Sequence, residues 1–204
     1  MKVELEGYIG RKFDTKFLRG DFEFKELDEE IIKYCRVLSR KGLTPNKTGN
    51  VSVRFENGML ITAGGTDLGK LNSGDIVYVL NFDFNDNTTF VIGSKEPSSE
   101  TPMHWMIYNR YDDVNAVVHV HDPLVKEENL QKFGIKCTER EFPYGTIELA
   151  EEVVDALRES RYVVMKNHGS VSVGSNLREA VEFILDIHRR IKNESKDSWQ
   201  GKKF

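Results

Sequence analysis

VSVRFENGMLIT, residues Val51–Thr62, sets two β signals around one turn signal. Val51, Val53 and Phe55 alternate with polar residues, and Met59 to Thr62 return as an apolar run. Alternation at a period of two buries one side of a strand. Asn57-Gly58 is a dipeptide that accepts the positive φ of a tight hairpin turn. The stretch predicts an antiparallel hairpin turning at Asn57-Gly58.

Upstream, DEEIIKYCRVLSRKG reads as a helix with Asp28 as N-cap, Ile31, Cys35 and Leu38 on one face, and Gly42 just past its end. Downstream, after a loop TAGGTDLGKLNSGD, come a strand DIVYVLNFD and a partner Thr88–Ile92, joined through Asn85-Asp86-Asn87. SSETPMHWMIYNRY reads as a serine-capped helix with Pro102 in its first turn. NAVVHVH is a strand, and residues 123–144 have no single reading. A helix begins at Thr146, two short strands flank an Asn167-His168-Gly169 turn, and an amphipathic helix follows from Leu177. Strands, hairpins and helices in this mixture predict a layered α/β fold with a substantially antiparallel sheet. Residues 1–26 read as an extension lying on the surface or on a neighbour, and residues 194–204 as a polar tail. The chain, 1–204, reads as one domain.

With 39% hydrophobic and 30% charged residues, the composition is that of an ordinary soluble globular protein. A net charge of -4 argues against general nucleic-acid binding, which needs a basic face. No apolar run reaches membrane-spanning length. Met1–Phe13 lacks the apolar core of a signal peptide. Cys35 and Cys137 belong to no CxxC pair and read as reduced thiols, which places the protein in the cytoplasm.

The chain has 5 histidines, and His119 and His121 stand two apart on a predicted strand, so their side chains share a face. Two imidazoles on one face suit a metal ion, or serve local hydrogen bonds. His168 sits in a turn beside Gly169, where a glycine admits a close neighbour. With the first two it completes a three-histidine set with an open position, the arrangement of catalytic zinc. Glu100, at a helix start just before the histidine strand, is the candidate acid/base, although a carboxylate there also suits the helix dipole. His104 and His188 read as packed residues. Three stretches rich in glycine and hydroxyls, 48–50, 62–66 and 98–99, abut element ends and could form a neutral anion nest.

TGNVSVR (48–54), MLITAGG (59–65), PSSE (97–100), AVVHVH (116–121) and NHGSVSVG (167–174), in this order, resemble the class II aldolase/adducin family. The resemblance runs from about Asp28 to Ile191. It implies a three-layer α/β/α fold with a largely antiparallel central sheet. It implies Zn2+, or another divalent metal, on His119, His121 and His168, with Glu100 as catalytic acid/base. It implies a substrate phosphate held by Gly49, Asn50, Gly65, Ser98 and Ser99, with Thr62 nearby. The implied activity is cleavage of a ketose 1-phosphate, such as L-fuculose 1-phosphate, to dihydroxyacetone phosphate and an aldehyde in a homotetramer. An L-ribulose-5-phosphate 4-epimerase-like isomerase, a methylthioribulose-phosphate dehydratase-like lyase and a non-catalytic adducin-like module are the alternatives. Where the family carries a further hydroxyl this chain has Gly64, and Thr66 is the expected substitute. Tyr144 is the candidate, by proximity in sequence, for protonating the aldehyde oxygen.

Overall fold

The computed structural model describes residues 12–20 and 24–200, with side chains to Glu194. Its centre is the predicted hairpin, β2 (Asn50–Phe55) and β3 (Gly58–Thr62), paired antiparallel. The turn lies one residue earlier than expected. Phe55 pairs with Gly58, so Glu56 and Asn57 make the loop, with Glu56 at φ 50. Gly58 serves a close approach instead, since a Cβ there would lie 2.2 Å from the Val79 carbonyl oxygen on the next strand.

The other strands are β1 (Asp14–Phe17), β4 (Ile76–Asp83), β5 (Thr88–Ile92), β6 (Ala116–Val120), β7 (Lys136–Cys137), β8 (Tyr162–Val164) and β9 (Ser170–Gly174). Among the described residues these nine strands form one sheet in the order β1-β5-β4-β3-β2-β6-β9-β8-β7. Among the described residues, only the outermost pairs, β1 with β5 and β7 with β8, are parallel. The sheet is largely antiparallel, as expected. Within the segment read as an N-terminal extension, residues 14–17 join the sheet and residues 25–26 open a helix. Residues 1–11 and 21–23 lie outside the described residues.

Helices cover both faces. On one lie α1 (Lys25–Arg40) and α5 (Leu177–Gln200), packed over a core that includes Ile31, Leu38, Val118, Val120 and Ile184. On the other lie α2 (Thr101–Arg110) and α4 (Ile147–Ala156), over Ile61, Val77, Val117, Val153 and Val173. A strand covered on both sides reads as a continuous apolar run, which is why β6 shows no clean alternation. The short α3 (Glu127–Phe133), ended by Gly134 at φ 63, and β7 occupy the stretch left without a reading. Helix α5 continues through residues expected as polar tail, and residues 201–204 lie outside the described residues.

Three helix starts fix local geometry. Thr146 caps α4 as expected, its hydroxyl accepting the Leu149 N–H at 3.3 Å. Asp28 is not the cap of α1. The helix begins at Lys25, and Asp28 is a buried residue of its first turn. Ser98 does not cap α2 either. Its hydroxyl accepts the Glu100 N–H at 3.3 Å and its carbonyl the Thr101 N–H at 3.1 Å, so the chain turns first and Glu100 becomes the N-cap. At its other end α1 closes as the sequence predicts, with Gly42 at φ 75 and the Leu43 N–H on the Leu38 carbonyl at 3.1 Å.

Candidate metal centre and active site

Strand β6 delivers His119 at its fourth position, and His121 follows just past its end. The His121 N–H donates to the Leu43 carbonyl at 2.8 Å, which holds this residue beside the end of α1. Antiparallel pairing of β6 with β9, Val120 opposite Ser170, brings the β8–β9 turn alongside. Asn167 takes φ 57 there, and His168 comes over the strand end. Gly169 makes this approach possible: a Cβ would lie 2.6 Å from the Val120 carbonyl and 2.7 Å from the His119 ring.

One ring nitrogen from each of His119, His121 and His168 lies within 4.8 Å of the others. The Nε2 atoms of His119 and His121 are 2.9 Å apart. In a tetrahedral site with Zn–N bonds of about 2.0–2.1 Å, ligand nitrogens stand roughly 3.3 Å apart, so small side-chain shifts reach it. The His119 Nδ1 lies 3.1 Å from the Ser170 carbonyl, which takes an N–H from that nitrogen and leaves Nε2 as the lone-pair donor. Burial pushes His119 down to about 4 and His121 down to about 3, even with the Glu100 carboxylate opposing. Neutral imidazole is the form that binds a metal. The donor set and the His119 tautomer fit a divalent ion.

Glu100 is 3% exposed and faces the cluster from the start of α2. Its Oε1 lies 3.0 Å from His168 Nε2 and its Oε2 3.1 Å from His119 Nε2, and Oε2 accepts the Asn50 amide at 2.8 Å. Burial alone would raise this carboxyl. The facing His119 and His168 and the Asn50 amide outweigh burial and hold it well below the usual carboxylate range. It is therefore available as a base.

A cavity of about 450 Å³ opens from this cluster, lined by Gly49, Asn50, Gly65, Thr66, Ser98 and Ser99 among others. Five of the six expected phosphate-contacting residues line it. Thr62 does not: its side chain is fully buried and accepts the Val51 N–H at 3.2 Å within the sheet. The Thr66 hydroxyl reaches the cavity wall but donates to the Ala63 carbonyl at 2.7 Å. The loops are tied together by Gly64 N–H on the Glu96 carbonyl at 3.0 Å and by the Lys95–Asp75 ion pair at 2.5 Å.

Of two further residues on the wall, Lys47 had no role in the sequence reading, whereas Tyr144 was the candidate for the aldehyde oxygen. Lys47, left-handed at φ 62 after Asn46 at φ 54, brings a cation to an otherwise neutral nest. The Asn/Lys/Gly turn composition was the available signal. Tyr144 stacks on His168, ring centroids 6.3 Å apart and planes at 15°. His104 stays out of the cluster, as expected. It is fully buried with Nδ1 2.6 Å from the Ser52 hydroxyl, and burial pushes it down to about 4. His188 pairs with Asp122, Nδ1 to Oδ2 at 2.8 Å, and so braces the residue after His121 from α5.

Residues 29–193 match the family described as Class II Aldolase and Adducin N-terminal domain. The chain is 36% identical over 164 residues to the L-fuculose phosphate aldolase of Methanococcus maripaludis, covering 74% of this chain and 86% of that protein. It is 29% identical over 187 residues to a 5-deoxy-D-ribulose 1-phosphate aldolase of Bacillus thuringiensis, 81% of this chain and 85% of that one. A solved L-fuculose 1-phosphate aldolase superposes with a TM-score of 0.72 at 27% identity, over 89% of this chain and 91% of that one. Motif order, sheet architecture and these similarities agree: the chain belongs to the class II aldolase and adducin family.

Proposed function

We propose that the protein is a metal-dependent sugar-phosphate aldolase that cleaves a ketose 1-phosphate to dihydroxyacetone phosphate and an aldehyde. One observation carries this reading: three imidazoles and the Glu100 carboxylate converge at the mouth of a glycine- and hydroxyl-lined nest. A non-catalytic module has no need of that convergence. His119, His121 and His168 would hold the ion, zinc by donor type. When bound, it supplies Lewis-acid stabilisation of the charge that develops on the substrate oxygens, worth several kcal/mol.

The protein side chains do the rest. Backbone N–H groups near Gly49, Gly65 and Ser99 orient the phosphate at C1, with Lys47 as counter-charge. In cleavage the C3–C4 bond breaks, the C4 hydroxyl proton leaves to solvent by way of Tyr144 as the aldehyde forms, and C3 takes a proton that Glu100 relays from solvent. In synthesis Glu100 removes the C3 proton from dihydroxyacetone phosphate. Tyr144, stacked on His168 at the cavity wall, would exchange the proton on the C4 oxygen. As in the family expectation, we assign a cytoplasmic homo-oligomer, a tetramer.

The test is loss of the C3 proton signal of dihydroxyacetone phosphate in heavy water, followed by NMR on the metal-loaded protein. Exchange that stops on chelation is the expected result, and exchange that survives chelation would overturn the reading. Glu100→Gln should keep its metal and slow exchange by about 10²–10⁴-fold, whereas His119→Ala should lose the metal. Tyr144→Phe should slow cleavage more than exchange, because exchange involves no C4 oxygen. Absent exchange, with turnover of ribulose 5-phosphate, would point to the isomerase instead.

A further inference from the structure

His121 and His168 line two cavities, not one. Beyond them, away from Glu100, lies a larger cavity of about 690 Å³ between α3, the β8–β9 turn and the loop after β6. Its volume falls within the roughly 300–1,000 Å³ that holds drug-sized ligands, far more than a two- or three-carbon fragment fills. Val125, Leu130, Val164 and Met165 give it an apolar wall, and the exposed Lys126 and Lys166 stand on its rim.

A ketose 1-phosphate cut between C3 and C4 has two halves. The phosphate-bearing half belongs in the glycine- and hydroxyl-lined nest, which leaves the aldehyde half to extend past the metal ligands. We infer that C4 stays beside Tyr144 while the carbons beyond it enter the larger cavity, and that the enzyme favours aldehydes whose apolar chain runs on beyond three carbons. The inference rests on the aldolase reading. In the synthetic direction C3 loses its proton to Glu100, the C3–C4 bond forms at the aldehyde carbon, and the aldehyde oxygen takes up a proton.

The experiment measures kcat/KM for addition of dihydroxyacetone phosphate to ethanal, propanal, butanal, pentanal and hexanal, using the metal-loaded protein. C3 proton exchange is followed in the same samples. An alkyl chain moving from water into an apolar wall should raise kcat/KM by about fourfold per methylene, from the transfer free energy of one CH2. Leu130→Trp fills the cavity from α3 and should lower the hexanal-to-ethanal ratio at least tenfold. Val125→Trp tests the same wall from the loop after β6. A flat or falling series with exchange intact overturns this inference alone, and so does a ratio that neither variant moves. Absence of exchange overturns the aldolase reading and takes this inference with it.

Discussion

Gly49 and Gly65 both sit in the left-handed region, at φ 82 and φ 72, yet their surroundings differ. A Cβ on Gly49 would lie 2.7 Å from the His119 carbonyl oxygen, whereas one on Gly65 meets nothing within 4 Å. Gly65→Ala should therefore cost only the backbone term, about 1–2 kcal/mol. Gly49→Ala should cost more and weaken metal binding, because it pushes on the strand that carries the proposed ligand His119. Melting curves with and without metal would check the order, and a larger loss for Gly65→Ala would contradict it. Lys47→Met should raise KM for a phosphorylated substrate severalfold and leave kcat nearly unchanged. The histidine pair was legible because strand period alone puts positions 119 and 121 on one face. The Asp122–His188 brace was not, because its partners are 66 residues apart and meet only through packing of α5.

Among elements, α1 carries a sequence signal that changed meaning on folding. Asp28 looks like a cap, but helix α1 starts three residues earlier and the carboxyl is buried, with Oδ1 lacking a hydrogen-bond partner. Burial raises its pKa from 3.8 to about 6, against a hydrogen bond with Ser73. The fold then holds a proton that the unfolded chain has already released. Between about pH 4 and 6 stability falls as pH rises, and above that the whole penalty is present, at most about 3 kcal/mol. Asp28→Asn should melt several degrees above the parent at pH 7.5, and the gap should close towards pH 4. A gap that widened on acidification would be the wrong sign. Thr146→Ala should cost about 1 kcal/mol, the usual loss of a helix cap. That cap was legible because its bond is local, to a residue three positions on. The hairpin turn slipped by one because Gly58 answers to Val79 on a neighbouring strand, which no window around the turn contains.

For the whole molecule, the layering could be read from hairpins alternating with helices, but the two sheet margins could not. Strand β1 is four residues long and β7 two, too short for a period, and both pair in parallel with distant partners. Their placement comes from the completed sheet. Metal binding belongs to this scale too. The proposed ligands at positions 121 and 168 have no preformed site in the unfolded chain, so a metal at 100 times its Kd should add about 2.7 kcal/mol, or roughly 5–10 °C in Tm. The His119→Ala protein should show no such shift. The same separation sets an order in time. Glu100 and Asn50 are 50 residues apart, and Glu100 and His168 are 68. A hairpin such as β2–β3 closes in about 1–10 μs, whereas non-local sheet pairing takes milliseconds to seconds. After dilution from denaturant, metal capture would lag the hairpin and keep pace with the docking of β6 between β2 and β9. A metal-sensitive dye would then serve as a stopwatch for closure of the sheet's middle.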